Sequence, residues 1–195
     1  MTIHSHDILP ATGRPFVAVC GITSRSQADC AAAFGARCLV FDFHSSGVRR
    51  VSVEQAAHIA SSNVSRLGCF DADDFSKIRS AMLCARLDFA VLHGSCEPVV
   101  AARELGTRRI IRAISGAAVT QEVLDAWTPH CSGFLLHAED EVQLQRIAVL
   151  KTDLPRILRF DGCREAYRGL RPDGVALDAL ESRALLSEIQ AVYSA

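Results

Sequence analysis

Five side chains of this 195-residue sequence stand at or just past the ends of short apolar runs: Cys20, Asp42, His44, His93 and His137. A thiol, a carboxylate and three imidazoles are the residue types of general acid–base chemistry and of metal ligation. Arg49 and Arg50 follow the second run closely enough to reach the same place. For Cys20 taken alone, a buried structural thiol is the ordinary reading, because free cysteine is among the most buried residue types. A metal site would gather Cys20, His93, His137 and either Asp42 or His44, yet their spacing specifies no cage.

Only a repeating architecture brings such residues together. Short β-rich apolar runs alternate with longer amphipathic stretches, the pattern of repeated βα units on a parallel sheet. The strands are predicted at Phe16 to Cys20, Arg37 to Phe43, Val64 to Phe70, Leu87 to His93, Arg109 to Ile114, Cys131 to His137, Pro155 to Phe160 and Gly174 to Leu177. Helices are predicted at Ser24 to Phe34, Val53 to Ala60, Asp74 to Ala85, Pro98 to Leu105, Thr120 to Trp127, Glu139 to Leu150, near Arg164 to Arg168, and at Ser182 to Tyr193. Local signals agree: Thr23 or Ser24 can cap the first helix and Gly35 can end it, Ser52 and Gln55 form a capping pair, and Pro98 suits a first turn.

Eight such units predict an α/β fold, a minimal (β/α)8 TIM barrel, since these barrels typically need about 250 residues and rarely fewer than about 200. The competing open doubly wound sheet lacks its glycine-rich phosphate fingerprint after the first strand. Residues 1–15 read as an irregular N-terminal arm and 16–195 as a single barrel domain. In either architecture ligand chemistry belongs at the carboxyl ends of the strands, where the five residues stand.

Composition narrows the partners. Twenty-one basic and 22 acidic residues give a net charge of -1, so no general field favours nucleic acid or an anionic membrane. A hydrophobic content of 49% and a mean hydropathy of +0.18 indicate a full core, without an apolar stretch long enough for a membrane helix or a signal-peptide core. The eight cysteines form no CxxC pair and read as reduced thiols. A cytoplasmic monomer or homodimer is expected, with a small-molecule ligand, no cofactor and no resident metal. Arg108, Arg109 and Arg112 read as a charge cluster where strand five begins, and Trp127 as packing.

Five motifs in order, CGIT at Cys20 to Thr23, VRRVS at Val48 to Ser52, GCF at Gly68 to Phe70, LHG at Leu92 to Gly94 and IRAI at Ile111 to Ile114, resemble those of the phosphoribosylanthranilate isomerase family over residues 16 to about 137. The resemblance implies a (β/α)8 barrel of tryptophan biosynthesis that performs an Amadori rearrangement, turning an aminoaldose into an aminoketose. Such a reaction needs an acid to protonate the ribose ring oxygen and a base to take the proton from the adjacent carbon. The resemblance gives Cys20 as the base, which must be a thiolate with a lowered pKa. It sets Arg49 against the anthranilate carboxylate, a role that suits the bidentate guanidinium fork. His93 of the LHG motif joins Arg49 as a candidate substrate-binding residue.

Departures from the family pattern fall on the same surface. Ala18 stands where a lysine usually precedes the cysteine, Val91 where a glutamine precedes LHG, and His137 aligns with the aspartate that serves as acid. An imidazole can be a general acid at neutral pH, which makes His137 the expected acid. The glycine-rich phosphate loops after strands six, seven and eight align with Ala138 to Glu141, Arg159 to Gly162 and Asp178 to Glu181. Carboxylates now stand where a dianion would bind, and Arg159 or Arg164 is the candidate to compensate. The expected function is therefore an isomerase-like protein with weak or lost activity. The alternative is a non-catalytic barrel that serves as a binding or regulatory module or acts on a non-phosphorylated ligand.

Overall fold

The computed structural model describes residues 16–45, 47–59, 64–160, 172–179 and 187. Eight strands, β1 (Phe16–Cys20), β2 (Cys38–Asp42), β3 (Ser65–Asp71), β4 (Phe89–His93), β5 (Ile110–Ser115), β6 (Gly133–Ala138), β7 (Arg156–Phe160) and β8 (Gly174–Asp178), pair in sequence order into a closed barrel. Every pairing is parallel, and β8 closes on β1 with Cys20 opposite Asp178. Helices α1 (Arg25–Ala33), α2 (Val53–His58), α3 (Phe75–Cys84), α4 (Pro98–Leu105), α5 (Gln121–Trp127) and α6 (Glu141–Val149) link the first seven strands. The helix expected near 164–168, that expected at 182–193 apart from residue 187, and the arm of residues 1–15 lie outside the described residues.

Local chemistry explains where the helices begin. Ser24 and Ser52 each cap a helix through a reciprocal box with a glutamine three residues on, so two free amides are satisfied at each start. Asp74, Thr120 and Asp140 accept from the third amide of α3, α5 and α6. Beyond α1, Gly35 takes φ +95° and turns the chain back toward β2.

Strand alternation sorts side chains into two cores. Val17, Val19, Leu39, Phe41, Leu92, Ile110, Phe134 and Leu136 face outward and pack under the helices against Ala28, Ala31, Leu124, Leu144 and Ile147. Phe16, Ala18, Cys20, Cys38, Val40, Leu67, Cys69, Phe89, Val91, Ile111, Ala113, Leu135, Ile157 and Ala176 face inward and fill the barrel. The inward parity of each strand, carried to its carboxyl end, determines which residues reach the mouth.

Two arginines on outward positions do structural work. Arg66 is 8% exposed. Its guanidinium donates to the carbonyls of Ala56 and Ile59 at the end of α2 and of Ala85 just past α3, while resting over the Phe41 ring. Arg112 departs from the expected charge cluster: it lies over the buried Trp127 ring and donates to the Leu92 and Gly94 carbonyls. Both donate to carbonyls near the ends of helices and strands, where backbone partners run short. Among the described residues no helix is long and apolar enough to cross a membrane.

Candidate functional site

At the carboxyl ends of the strands lies a cavity of about 300 Å³ whose lining includes Cys20, Arg49, His93, His137 and Arg159. Their neighbours on its wall include Asp42, His44, Cys69, Ser115 and Asp178. Register accounts for this gathering: Cys20 sits opposite Asp178, Asp42 opposite Cys69, and His137 lies between Ser115 and Arg159.

Arg49 reaches the cavity from the β2–α2 loop. Its side chain passes over Gly21, where a Cβ would stand 2.7 Å from Arg49 Cδ. Its Nη1 donates to the Ala179 carbonyl at 2.7 Å. That bond uses one of five guanidinium donors. Beside it Val48 is fully exposed at the rim. Arg159 pairs with Asp178 at 3.3 Å, both side chains being partly exposed.

The end of β2 and the loop after it build a polar cluster on the cavity wall. Asp42 Oδ1 accepts from the His44 backbone N–H at 2.9 Å and stands 2.7 Å from His44 Nδ1. Gly47 folds over the same carboxylate so closely that a Cβ there would lie 2.2 Å from Oδ2. The His44 ring meets His93 edge to face with centroids 4.5 Å apart, and its Nε2 lies 4.0 Å from Asp71 Oδ1.

Electrostatics set the state of two of these groups. Burial pushes the Cys20 thiol up to about 12, and the pull of Arg159 and Arg49 in the other direction does not offset it against Asp178 and Asp42. The resemblance implies a thiolate, and the closed environment of this side chain, 7% exposed, holds a neutral thiol instead. Burial lowers His93 to about 4, with His44 and Arg112 adding to the effect. That imidazole is neutral at physiological pH.

The N-terminus of α6, just after β6, is already occupied. Asp140 accepts from the Gln143 amide at 2.7 Å, and Gln143 Oε1 accepts from the Glu139 amide at 3.0 Å. A carboxylate therefore fills the α6 N-terminus where an anion would otherwise be received. Among the described residues no group of three or more His, Cys, Asp or Glu is arranged to hold a metal ion.

Sequence reasoning named Asp42 and His44 as strand-end polar residues and missed their pairing. The signal was available: Asp42 follows Cys38 and Val40 on the inward parity of β2, and a histidine two residues past such a carboxylate can fold back on it. Ser115 and Asp178 follow from the same parity on β5 and β8.

A closed eight-stranded parallel barrel with ionisable side chains gathered at its carboxyl mouth defines a TIM barrel with a candidate ligand site. Comparison with known proteins narrows the class. No protein-family model matches the chain. It is 38% identical over 127 residues to N-(5'-phosphoribosyl)anthranilate isomerase of Desulfovibrio desulfuricans, a match covering 63% of this chain and 60% of that protein. It is 26% identical over 179 residues to the protein of the same name from Maridesulfovibrio salexigens, covering 84% of this chain and 87% of that one. The chain thus spans less than two thirds of the first relative's length in the matched region.

The phosphoribosyl anthranilate isomerase structure from Thermus thermophilus superposes with a TM-score of 0.79 at 24% identity, over 92% of this chain and 98% of that one. A second such structure, in complex with reduced 1-(o-carboxyphenylamino)-1-deoxyribulose 5-phosphate, gives 0.75 at 21% identity, over 93% and 100%. In sequence the chain is similar to phosphoribosylanthranilate isomerases, and it shares their barrel fold.

Proposed function

We propose that the mouth cavity receives an N-aryl aminosugar and supports an Amadori-type isomerisation, with turnover of phosphoribosylanthranilate weak or lost. The observation that carries this reading is the convergence of Cys20, Arg49, His93, His137 and Arg159 on one cavity. Arg49 would hold the aryl carboxylate with donors left after its bond to Ala179, and exposed Val48 beside it offers apolar surface to the ring. His137 would protonate the ring oxygen, and Cys20 lines the face from which the carbon-bound proton leaves. No cofactor enters a reaction so written. The protein would act as a cytoplasmic monomer or homodimer in tryptophan biosynthesis.

Weak turnover follows from two features. The Cys20 thiol is held near 12, far from a thiolate at neutral pH, and the carboxylate of Asp140 occupies the α6 N-terminus. The second feature favours a further reading, in which the preferred ligand lacks the phosphate. Both are tested by following aminoketose formation from phosphoribosylanthranilate and from its dephosphorylated ribosyl analogue, beside the Thermus thermophilus relative. The expected kcat/KM on the phosphorylated substrate is at least about a hundredfold below the relative's, consistent with the loss of one general-base contribution. Equal rates overturn the weak-activity reading. A thermal shift with neither compound and turnover of neither overturns the ligand assignment.

A further inference from the structure

A second cavity, of about 390 Å³, lies outside the strand ring at the same end of the barrel as the mouth. Its walls are the segment from the end of β2 to the start of α2, and the end of β3 with the first turns of α3. Phe43 and Phe70 face outward with the outer core, and their rings stack with centroids 5.0 Å apart and planes 6° apart. Together with Val51, Val53, Ile78 and Ala81 they give the cavity an apolar lining. Its volume is that of a small-molecule pocket, and the chemistry proposed at the mouth makes no use of it.

The polar groups on its rim divide into those already satisfied and those still available. Ser52 caps α2. Asp74 caps α3 and pairs with Lys77 Nζ at 3.1 Å. Arg50, on the β2 side, is exposed, and no described residue pairs with its guanidinium. On the β3 side Asp73 is exposed. Asp71 receives only long bonds, from the Ser45 backbone N–H and hydroxyl, both at 3.4 Å from Oδ2, with His44 Nε2 4.0 Å from its other oxygen. One guanidinium and two carboxylates thus face a ligand across an apolar lining.

We infer that this cavity binds a free aromatic α-amino acid. The carboxylate of such a ligand meets the planar fork of Arg50, which matches it bidentately. Its ammonium donates to Asp71 and Asp73, and its ring lies against the lining that Phe43 and Phe70 provide, where aromatic pairs gain more than area burial alone. A simple anion would face the two carboxylates, a simple cation would face Arg50, and an aliphatic amino acid would leave much of the lining wet. The two cavities share no lining residue: of the consecutive arginines, Arg49 serves the mouth and Arg50 the outer cavity. The inference therefore stands apart from the isomerase reading.

The test titrates the full chain with L-phenylalanine, followed by calorimetry and by backbone amide shifts. Saturable binding with a Kd below about 1 mM is expected, with shifts at Phe43, Ser45, Val53, Asp73 and Lys77 and none at Cys20 or His137. 3-Phenylpropionate, 2-phenylethylamine and L-alanine lack the ammonium, the carboxylate and the ring in turn. Each is expected to bind at least about tenfold more weakly. Arg50→Gln is expected to weaken L-phenylalanine binding at least about tenfold with a thermal unfolding midpoint near wild type, whereas Arg49→Gln keeps the affinity within about threefold. Absence of saturation, an Arg50→Gln affinity equal to wild type, or an analogue that binds as well as the amino acid overturns the inference. Shifts at Cys20 and His137 with affinity lost in Arg49→Gln overturn it too, because the ligand then sits in the mouth. No turnover is read, so the result is the same whether or not the chain is an isomerase.

Discussion

Gly21 and Arg49 claim the same volume at the lip of the barrel: the arginine side chain crosses the place where a Cβ on Gly21 would stand, 2.7 Å from Arg49 Cδ. Gly21 also takes φ +73°, a conformation that costs any L-residue with a side chain. The pair links the end of β1 to the loop after β2 and lets the guanidinium reach the Ala179 carbonyl beyond β8.

Gly21→Ala therefore combines backbone strain with a collision, and a loss of about 1–3 kcal/mol is expected in urea unfolding. In an Arg49→Ala background the collision disappears and only the strain remains. The two substitutions should be non-additive, with Gly21→Ala costing less in the double variant. An identical cost in both backgrounds would mean that Arg49 does not lie over Gly21.

Arg66 ties the carboxyl ends of α2 and α3 to β3 through the carbonyls of Ala56, Ile59 and Ala85. Arg66→Leu preserves apolar bulk and removes the charged donors from those carbonyls, leaving that of Ala56 with the Ile59 amide alone. Hydrogen bonds to charged groups contribute about 1.5–3 kcal/mol each, so a loss of at least about 3 kcal/mol is expected. Hydrogen exchange should quicken first in the last turns of α2 and α3. A stability within about 0.5 kcal/mol of wild type, the range of ordinary surface changes, would refute this role.

His93 makes stability depend on acid. Its folded-state value is lowered to about 4 from 6.5, burial being the main cause and His44 and Arg112 lesser ones. The unfolded chain binds the proton first, so the neutral buried ring contributes stability that is fully present above pH 6.5 and lost as pH falls to about 4. The full loss corresponds to roughly 3 kcal/mol. Unfolding curves of wild type minus His93→Gln should show it across that window, and a flat difference would count against a buried neutral ring.

The barrel itself was legible because each strand and its helix carry their own signals, and these do not depend on distant residues. Ser24, Ser52 and Gly35 stand where their residue types predict. Strand ends shifted by one or two positions, as at Arg37 and Cys131, because the ladder of the neighbouring strand fixes where pairing stops. Cys20, His93 and His137 could be named from strand-end position and Arg49 from its loop, since parity and direction carry them to one mouth, whereas Arg159 enters through the family resemblance. The folds of Arg66 and Arg112 could not be read that way. They depend on loop closure and on which carbonyls remain unpaired in three dimensions, and sequence pattern does not encode either. A buried thiol is the ordinary reading of Cys20 taken alone, and burial decides against the thiolate that the family resemblance implies.

Thiol reactivity gives the sharpest reading of the mouth. Cys84 is exposed, while Cys20, Cys38 and Cys69 are buried in the barrel. Burial pushes both Cys20 and Cys38 up to about 12. Only a thiolate attacks an alkylating agent. In folded protein at pH 8, iodoacetamide should label Cys84 readily and leave Cys20 and Cys38 unmodified until urea unfolds the barrel, as read by mass spectrometry of the digested chain. Labelling of Cys20 as fast as Cys84 would restore a thiolate to the mouth.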